Sequence, residues 1–205
     1  VITDENYSIK SIGWNNTPQG QVPCLFRNVE DLMTKNDKDA YSDYERGDGE
    51  FKEKVSAYYE NKNKDCDDYL KGRNISFCFK SIQNSIIDGK NQVHTRSLHA
   101  EENAFLQISK YGGQPLTKGY LFTTASPCEL CSKKAYQIGI TQIYYIDLYP
   151  GLSTNHVLKG YDKKNDPALI LFNGAIGRAY HKLYEPFMNY KDELNLLLGL
   201  DIKDL

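Results

Sequence analysis

"LFTTASPCELCSKKAYQIGITQIYYID", residues 121–147, sets a helical stretch between two apolar runs. Residues 119–124 (GYLFTT) and 141–148 (TQIYYIDL) are rich in β-branched and aromatic side chains and read as strands. Between them, "PCELCSKKAYQIGI" reads as a helix, with Pro127 at its first position and Gly139 at its end. A strand, a helix and a strand in this order form a crossover unit, which implies parallel pairing. "PALILF" (167–172) supplies a third strand. Upstream, "HAEENAFLQISKYGG" (99–113) reads as a helix with Ala104, Phe105 and Ile108 on one face, stopped by Gly112-Gly113. The opening "VITDENYSIKSIGWNN" (1–16) reads as two short strands around the turn Asp4-Glu5-Asn6, the second alternating Ile9, Ile12 and Trp14 with small or polar residues. The expected fold is α/β: a three-layer α/β/α sandwich with a mixed sheet of about five strands.

The chain reads as one domain over residues 1–205. It carries a charged, mainly helical insertion at 28–92 and a C-terminal extension at 150–205 that includes a terminal helix. Within the insertion, "GEFKEKVSAYYENKNKDCDDYLKG" (49–72) has a thin apolar stripe at Phe51, Val55 and Tyr58/Tyr59, the pattern of an amphipathic cover. The sequence opens on Val inside a strand, so a longer protein with a further domain upstream of residue 1 is expected.

A net charge of −2 gives no general basic field for a long nucleic acid, so such a partner is not expected. No apolar run approaches the roughly 18 residues of a membrane span, and the first residues show no signal-peptide pattern. The five cysteines (Cys24, Cys66, Cys78, Cys128, Cys131) are odd in number and irregularly spaced. That fits free thiols in a reducing, cytoplasmic setting better than a secreted disulfide framework.

Two short motifs carry chemistry. His99 and Glu101 stand two positions apart at a helix start, where a carboxylate also complements the helix dipole and needs no further role. Cys128 and Cys131 form a lone C-x-x-C, compatible with a redox pair or half of a structural zinc site. The chain has no second C-x-x-C and no H-x₃₋₅-H to close a finger. One imidazole and two thiolates, however, make three zinc ligands and leave a fourth tetrahedral position open, the layout of a catalytic site. Both motifs fall at helix starts, which favour thiolates. Zinc lowers the pKa of a bound water to about 7, and the neighbouring Glu101 could then move protons.

H-x-E followed by P-C-x-x-C is the signature of zinc-dependent base deaminases. The chain resembles the cytidine/deoxycytidylate deaminase superfamily, and most the deoxycytidylate branch, over residues 1–24 and about 93–150. "GWNNTPQGQVPC" (13–24) resembles that branch's nucleotide-pocket segment, with Asn16 where the branch has glycine. The resemblance implies zinc ligands His99, Cys128 and Cys131, and Glu101 as proton shuttle. It also implies substrate contacts from Asn15, the Ala100 backbone, the Ser126 carbonyl and Tyr149. Cys24 stands where some phage members carry a structural zinc cysteine, which makes Cys24 with His94 a candidate second metal pair. The tail "GAIGRAYHKLYEPFMNYKDEL" (174–194) resembles those of larger bacterial anti-phage deaminases, in which a P-loop module precedes the deaminase. No G-x-x-x-x-G-K-[ST] occurs in this chain, so such a module would lie upstream.

The function expected from these readings is zinc-dependent hydrolytic deamination of a free cytosine (deoxy)nucleotide, dCMP or dCTP, to its uracil counterpart with release of ammonia. The enzyme is expected to be a homo-oligomer and to deplete nucleotides against phage. Two alternatives stand beside it. One is a deaminase acting on a base in RNA or single-stranded DNA, for which the sixteen tyrosines offer stacking surfaces. The other is a non-catalytic zinc-containing nucleotide sensor or assembly module, which would have no use for Glu101.

Overall fold

Parallel neighbours in a sheet need a connection long enough to return to the starting edge, and residues 126–139 provide it. In the computed structural model, which describes residues 1–34, 40–61, 69–112, 116, 118–160, 164–174, 188 and 190–200, β3 (Gly119–Ala125) and β4 (Ile140–Asp147) run parallel. Helix α6 (Glu129–Gln137) joins them. β5 (Ala168–Leu171) extends the sheet in parallel beyond β4. On the other side of β3, β1 (Ile2–Thr3) pairs antiparallel, and β2 (Ile9–Ser11) pairs antiparallel with β1. The sheet is therefore mixed and five-stranded, in the order β2-β1-β3-β4-β5, and the fold is α/β as expected.

The described residues gather into two compact units, residues 1–16 with 98–185 and residues 17–97 with 186–205. The first holds the sheet, α5 (Ala100–Lys110) and α6. Its core joins Ala104 and Phe105 of α5 and Ala135 of α6 to Ile2, Leu121, Ile140 and Ile143 of the strands, with Leu158. Leu121 and Ile143 are neighbours in the β3–β4 register and lie on the face these helices cover. On the opposite face Phe122 stacks on Tyr144 with ring centroids 4.7 Å apart, and Tyr7 leans on Tyr120 at 5.2 Å.

Two local expectations shift. Helix α6 begins at Glu129 with Cys128 as its N-cap, so Pro127 stands before the helix and not in it. Ile9, Ile12 and Trp14 do not turn into a core: all three are exposed, and Ser11 is the buried residue of β2. An edge strand has a single ladder partner, so its apolar side chains are not forced under cover. The first turn is built as read, with the Asp4 carboxylate accepting the Asn6 and Ser8 N–H groups at 2.9 Å. Gly112 takes the left-handed conformation (φ 67°) that ends α5, whereas Gly113 lies outside the described residues.

The second unit contains α1 (Val29–Thr34), α2 (Asp43–Arg46), α3 (Glu50–Glu60), α4 (Phe79–Ile86) and α7 (Tyr190–Leu198). The stripe Phe51, Val55 and Tyr58 is buried as the pattern requires, in a core shared with Val29, Leu32, Phe77, Ile82, Leu194 and Leu198. The Tyr58 hydroxyl donates to Asn195 Oδ1 at 2.8 Å and ties α3 to α7. Cys66 and residues 175–187 of the tail lie outside the described residues.

At the centre of this unit Arg27 and Glu45, 2% and 1% exposed, form an ion pair. The guanidinium also lies over the rings of Tyr41 and Phe77, at 4.4 and 5.0 Å from their centroids. The second Glu45 oxygen accepts from the Ser42 N–H and hydroxyl, closing a capping box on α2. Removing one partner of a buried pair strands the other charge in a low-dielectric core. Arg27→Met is therefore expected to lower unfolding stability by about 3–5 kcal/mol. The double substitution Arg27→Met/Glu45→Leu should recover most of the loss, as read from urea unfolding midpoints.

Candidate metal centre and its surroundings

The N-termini of α5 and α6 converge, and each helix has a potential metal ligand as its N-cap: His99 on α5 and Cys128 on α6. Cys131, one turn into α6 and 1% exposed, completes the group. The donor atoms of His99, Cys128 and Cys131 all lie within 4.8 Å of one another, the single such His/Cys/Asp/Glu cluster of three or more among the described residues. His99 Nδ1 is 3.4 Å from Cys128 Sγ and 3.5 Å from Cys131 Sγ. Zinc–sulfur bonds of about 2.3 Å and zinc–nitrogen bonds of about 2.0–2.1 Å, at tetrahedral angles, put nitrogen and sulfur about 3.6 Å apart. The donor set and its spacing thus fit a tetrahedral zinc ion with three protein ligands.

Electrostatics within the cluster point the same way. Cys128 is driven down to about 3, chiefly by the hydrogen bond from the Cys131 thiol, with the His99 ring adding to it against the effect of burial. Cys131 is pushed up, because its proton is held by Cys128 and because it is buried. His99 is raised, first by its bond to Cys128.

Glu101 is not a member of the donor cluster. Its Oε1 accepts a 3.0 Å hydrogen bond from the Thr123 hydroxyl on β3. The next carboxylate, Glu102, pairs with Lys134 and so ties α5 to α6. A cavity of about 360 Å³ opens beside Glu101, walled by Ala100, Thr123, Phe122, Tyr144 and Phe172. Sites for small ligands commonly run from about 300 Å³ upward and join apolar walls to a few polar groups.

The residues expected to touch substrate are placed differently. Ala100 lines the cavity; Asn15, Ser126 and Tyr149 do not. Asn15 Oδ1 accepts the Ala100 N–H at 2.8 Å. Ser126, 1% exposed, receives the Tyr149 N–H on its hydroxyl at 2.8 Å and so holds the loop after β4. In the second unit, Cys24 Sγ accepts from Arg96 Nη1 at 3.6 Å, and His94 lines a separate cavity of about 490 Å³ with Arg96, Tyr41 and Ser42.

Sequence reasoning missed Thr123, Gly13 and Asn103. A β-carbon on Gly13 would sit 2.0 Å from the Ala100 carbonyl oxygen and 2.5 Å from the Ala104 nitrogen, so only glycine lets this backbone reach α5. Asn103 Nδ2 donates to the Trp14 carbonyl at 3.1 Å. Asn16, found where the resemblance has glycine, needs no left-handed backbone: it pairs as an isolated bridge with Leu98. The glycine beside an aromatic in "GWNN" was a usable signal for the close approach. For Thr123 the sole signal was its place in the strand alternation.

Residues 50–147 match the family described as the cytidine and deoxycytidylate deaminase zinc-binding region. The chain is 43% identical over 54 residues to ComE operon protein 2 of Bacillus subtilis (strain 168), covering 26% of this chain and 28% of that protein. It is also similar to the dCMP deaminase of cyanophage S-TIM5. The apo crystal structure matches with 27% identity and a TM-score of 0.30, over 38% of this chain and 55% of that one. The complex with dCMP and dUMP matches with 24% identity and a TM-score of 0.32, over 40% and 60%. The chain thus spans only part of the length of each of these proteins. The matched stretch, just under half of the chain, contains His99, Glu101, Cys128 and Cys131 together with the strands beside them, and over it the chain is similar to the zinc-binding region of the cytidine and deoxycytidylate deaminases.

Proposed function

We propose that this protein is a zinc-dependent hydrolase that converts a free cytosine deoxynucleotide, dCMP or dCTP, to the uracil nucleotide and ammonia. The observation that carries the reading is the separation of roles at one place. Three donors converge, and a fourth acidic group, Glu101, stands beside them but outside their cluster. A purely structural zinc site would close its fourth position with a protein ligand. A zinc ion held by His99, Cys128 and Cys131 supplies a Lewis acid that brings the pKa of a coordinated water down to about 7.

The chain's own residues account for the remaining work. Glu101, fixed by Thr123, receives the proton of the attacking water and delivers it to ring N3 as oxygen adds to C4. It then takes the proton of the hydroxyl left on C4 and passes it to the 4-amino nitrogen, which departs as ammonia as the C4 carbonyl forms, so one water is consumed and both of its protons are placed. Phe122, Tyr144 and Phe172 give the adjoining cavity flat apolar walls that suit a pyrimidine ring. In the cell the reaction would drain cytosine nucleotides during phage infection; the likeness of residues 174–194 to larger anti-phage deaminases supports this part. Ammonia release from dCMP, dCTP, deoxycytidine and their ribo counterparts tests the substrate. Single-stranded DNA and RNA across a salt series test the polymer alternative.

Two outcomes are expected. Glu101→Ala should keep its zinc and its fold yet lose at least 10²–10⁴-fold in ammonia release, the range for a general acid–base group. Near-normal turnover with zinc bound would reduce Glu101 to a helix-start carboxylate. Zinc binding should also release protons. Cys131 gives up the proton its raised pKa retains, Cys128 gives none because it is already a thiolate, and His99 gives one wherever its raised pKa leaves it charged. Release measured with a pH indicator in weak buffer should therefore exceed one proton per zinc below a pH of about 6.5 and fall toward one as pH rises, with affinity weakening toward acid.

A further inference from the structure

We propose that Asn15 is a positioning residue: it caps helix α5 from outside the helix, in place of His99, and so holds the metal-ligating imidazole. The inference rests on the zinc reading of the His99 cluster and extends it to a residue outside the cluster. Helices begin best on Ser, Thr, Asp or Asn, whose side chains satisfy one of the orphan N–H groups of the first turn. His99 occupies the N-cap of α5 with extended backbone (φ −65°, ψ 153°) and makes no side-chain cap bond. Its ring is turned to the two cysteine sulfurs instead. The residue that should cap the helix is committed to the metal cluster.

Asn15 makes the missing bond, its Oδ1 accepting the Ala100 N–H at 2.8 Å. Its neighbours fasten the same segment to the same helix. Leu98 N–H donates to the Asn16 carbonyl at 2.8 Å, Asn103 Nδ2 donates to the Trp14 carbonyl at 3.1 Å, and Gly13 lies directly against Ala100 and Ala104. Contacts from four consecutive residues, 13–16, thus clamp residues 98–104 on both sides of His99 and Glu101. The backbone torsions at His99 set where its ring can reach, so a frayed first turn would spread the imidazole over several positions. Groups that orient a metal ligand are typically worth 10–100-fold in metal affinity.

The test uses the intact protein and zinc alone, titrated in competition with a chromophoric chelator. Asn15→Leu, which removes the acceptor at an exposed position, should weaken zinc binding about 10-fold and speed hydrogen exchange at the Ala100 amide. Asn15→Asp, which keeps the acceptor, should bind zinc within about twofold of the parent. Parent-like zinc affinity in Asn15→Leu, whatever its KM, would overturn the proposal and leave the Asn15–Ala100 bond without bearing on the metal. Equal weakening in both variants would overturn it as well, because the acceptor would not be what matters. If the parent itself took up no zinc, the reading of the cluster would fall first and the proposal with it.

Discussion

Two helix N-termini aimed at one point constrain everything else in the first unit. Each carries the partial positive charge of unsatisfied N–H groups, and bringing two such ends together is unfavourable unless negative charge lies between them. Cys128, held as a thiolate, supplies that charge at the N-cap of α6, and Glu101 and Glu102 supply it in the first turn of α5. The N-cap side chains, His99 and Cys128, face each other across the donor cluster, and His99 makes no cap bond of its own, so the first turn of α5 is satisfied from elsewhere.

The parallel pairing of β3 with β4 makes the convergence geometrically natural. α6 must start at the C-terminal end of β3 to return to β4, which places Cys128 and Cys131 just beyond that strand end. Open α/β sheets bind their ligands in this location. β3 also has an antiparallel neighbour, β1, and the turn and strand that follow β1 bring Gly13–Asn16 to the start of α5. One strand therefore carries Thr123 toward Glu101, leads into the two cysteines, and anchors the segment that fastens the histidine helix.

Much of this was legible in the sequence. The alternation of 119–148 reported strand, helix and strand because each element obeys its own period. His99, Cys128 and Cys131 were legible because few residue types can ligate a metal and these three fall in two short motifs at helix starts. Contacts made by generic residues were not legible. Thr123 is one threonine among several, and the bond of Asn15 to the Ala100 N–H joins residues 85 apart, which leaves no local pattern. The second unit was hidden for a different reason. Its core is assembled from single apolar residues set among charges, and its largest buried side chain is Arg27, whose burial depends on Glu45, Tyr41 and Phe77 meeting it in space.

The position of Glu101 is set by the sheet and not by the donor cluster beside it. A carboxylate two residues from a zinc ligand could close the coordination sphere itself, and a fourth protein ligand would leave no place for water. Here Thr123 lies on the sheet and not on either ligand helix, and its hydroxyl draws the carboxylate to a fixed point 3.0 Å away, outside the donor cluster. The same hydroxyl lies 2.9 Å from the Ala125 carbonyl, so it has a second acceptor for its proton. When Glu101 is protonated, Thr123 can accept from it and donate to Ala125. The hydroxyl can therefore satisfy Glu101 in its charged and in its protonated form, and the carboxyl group can stay beside the sheet in either. A sheet residue, rather than the helix that bears Glu101, is what holds the carboxylate outside the donor cluster.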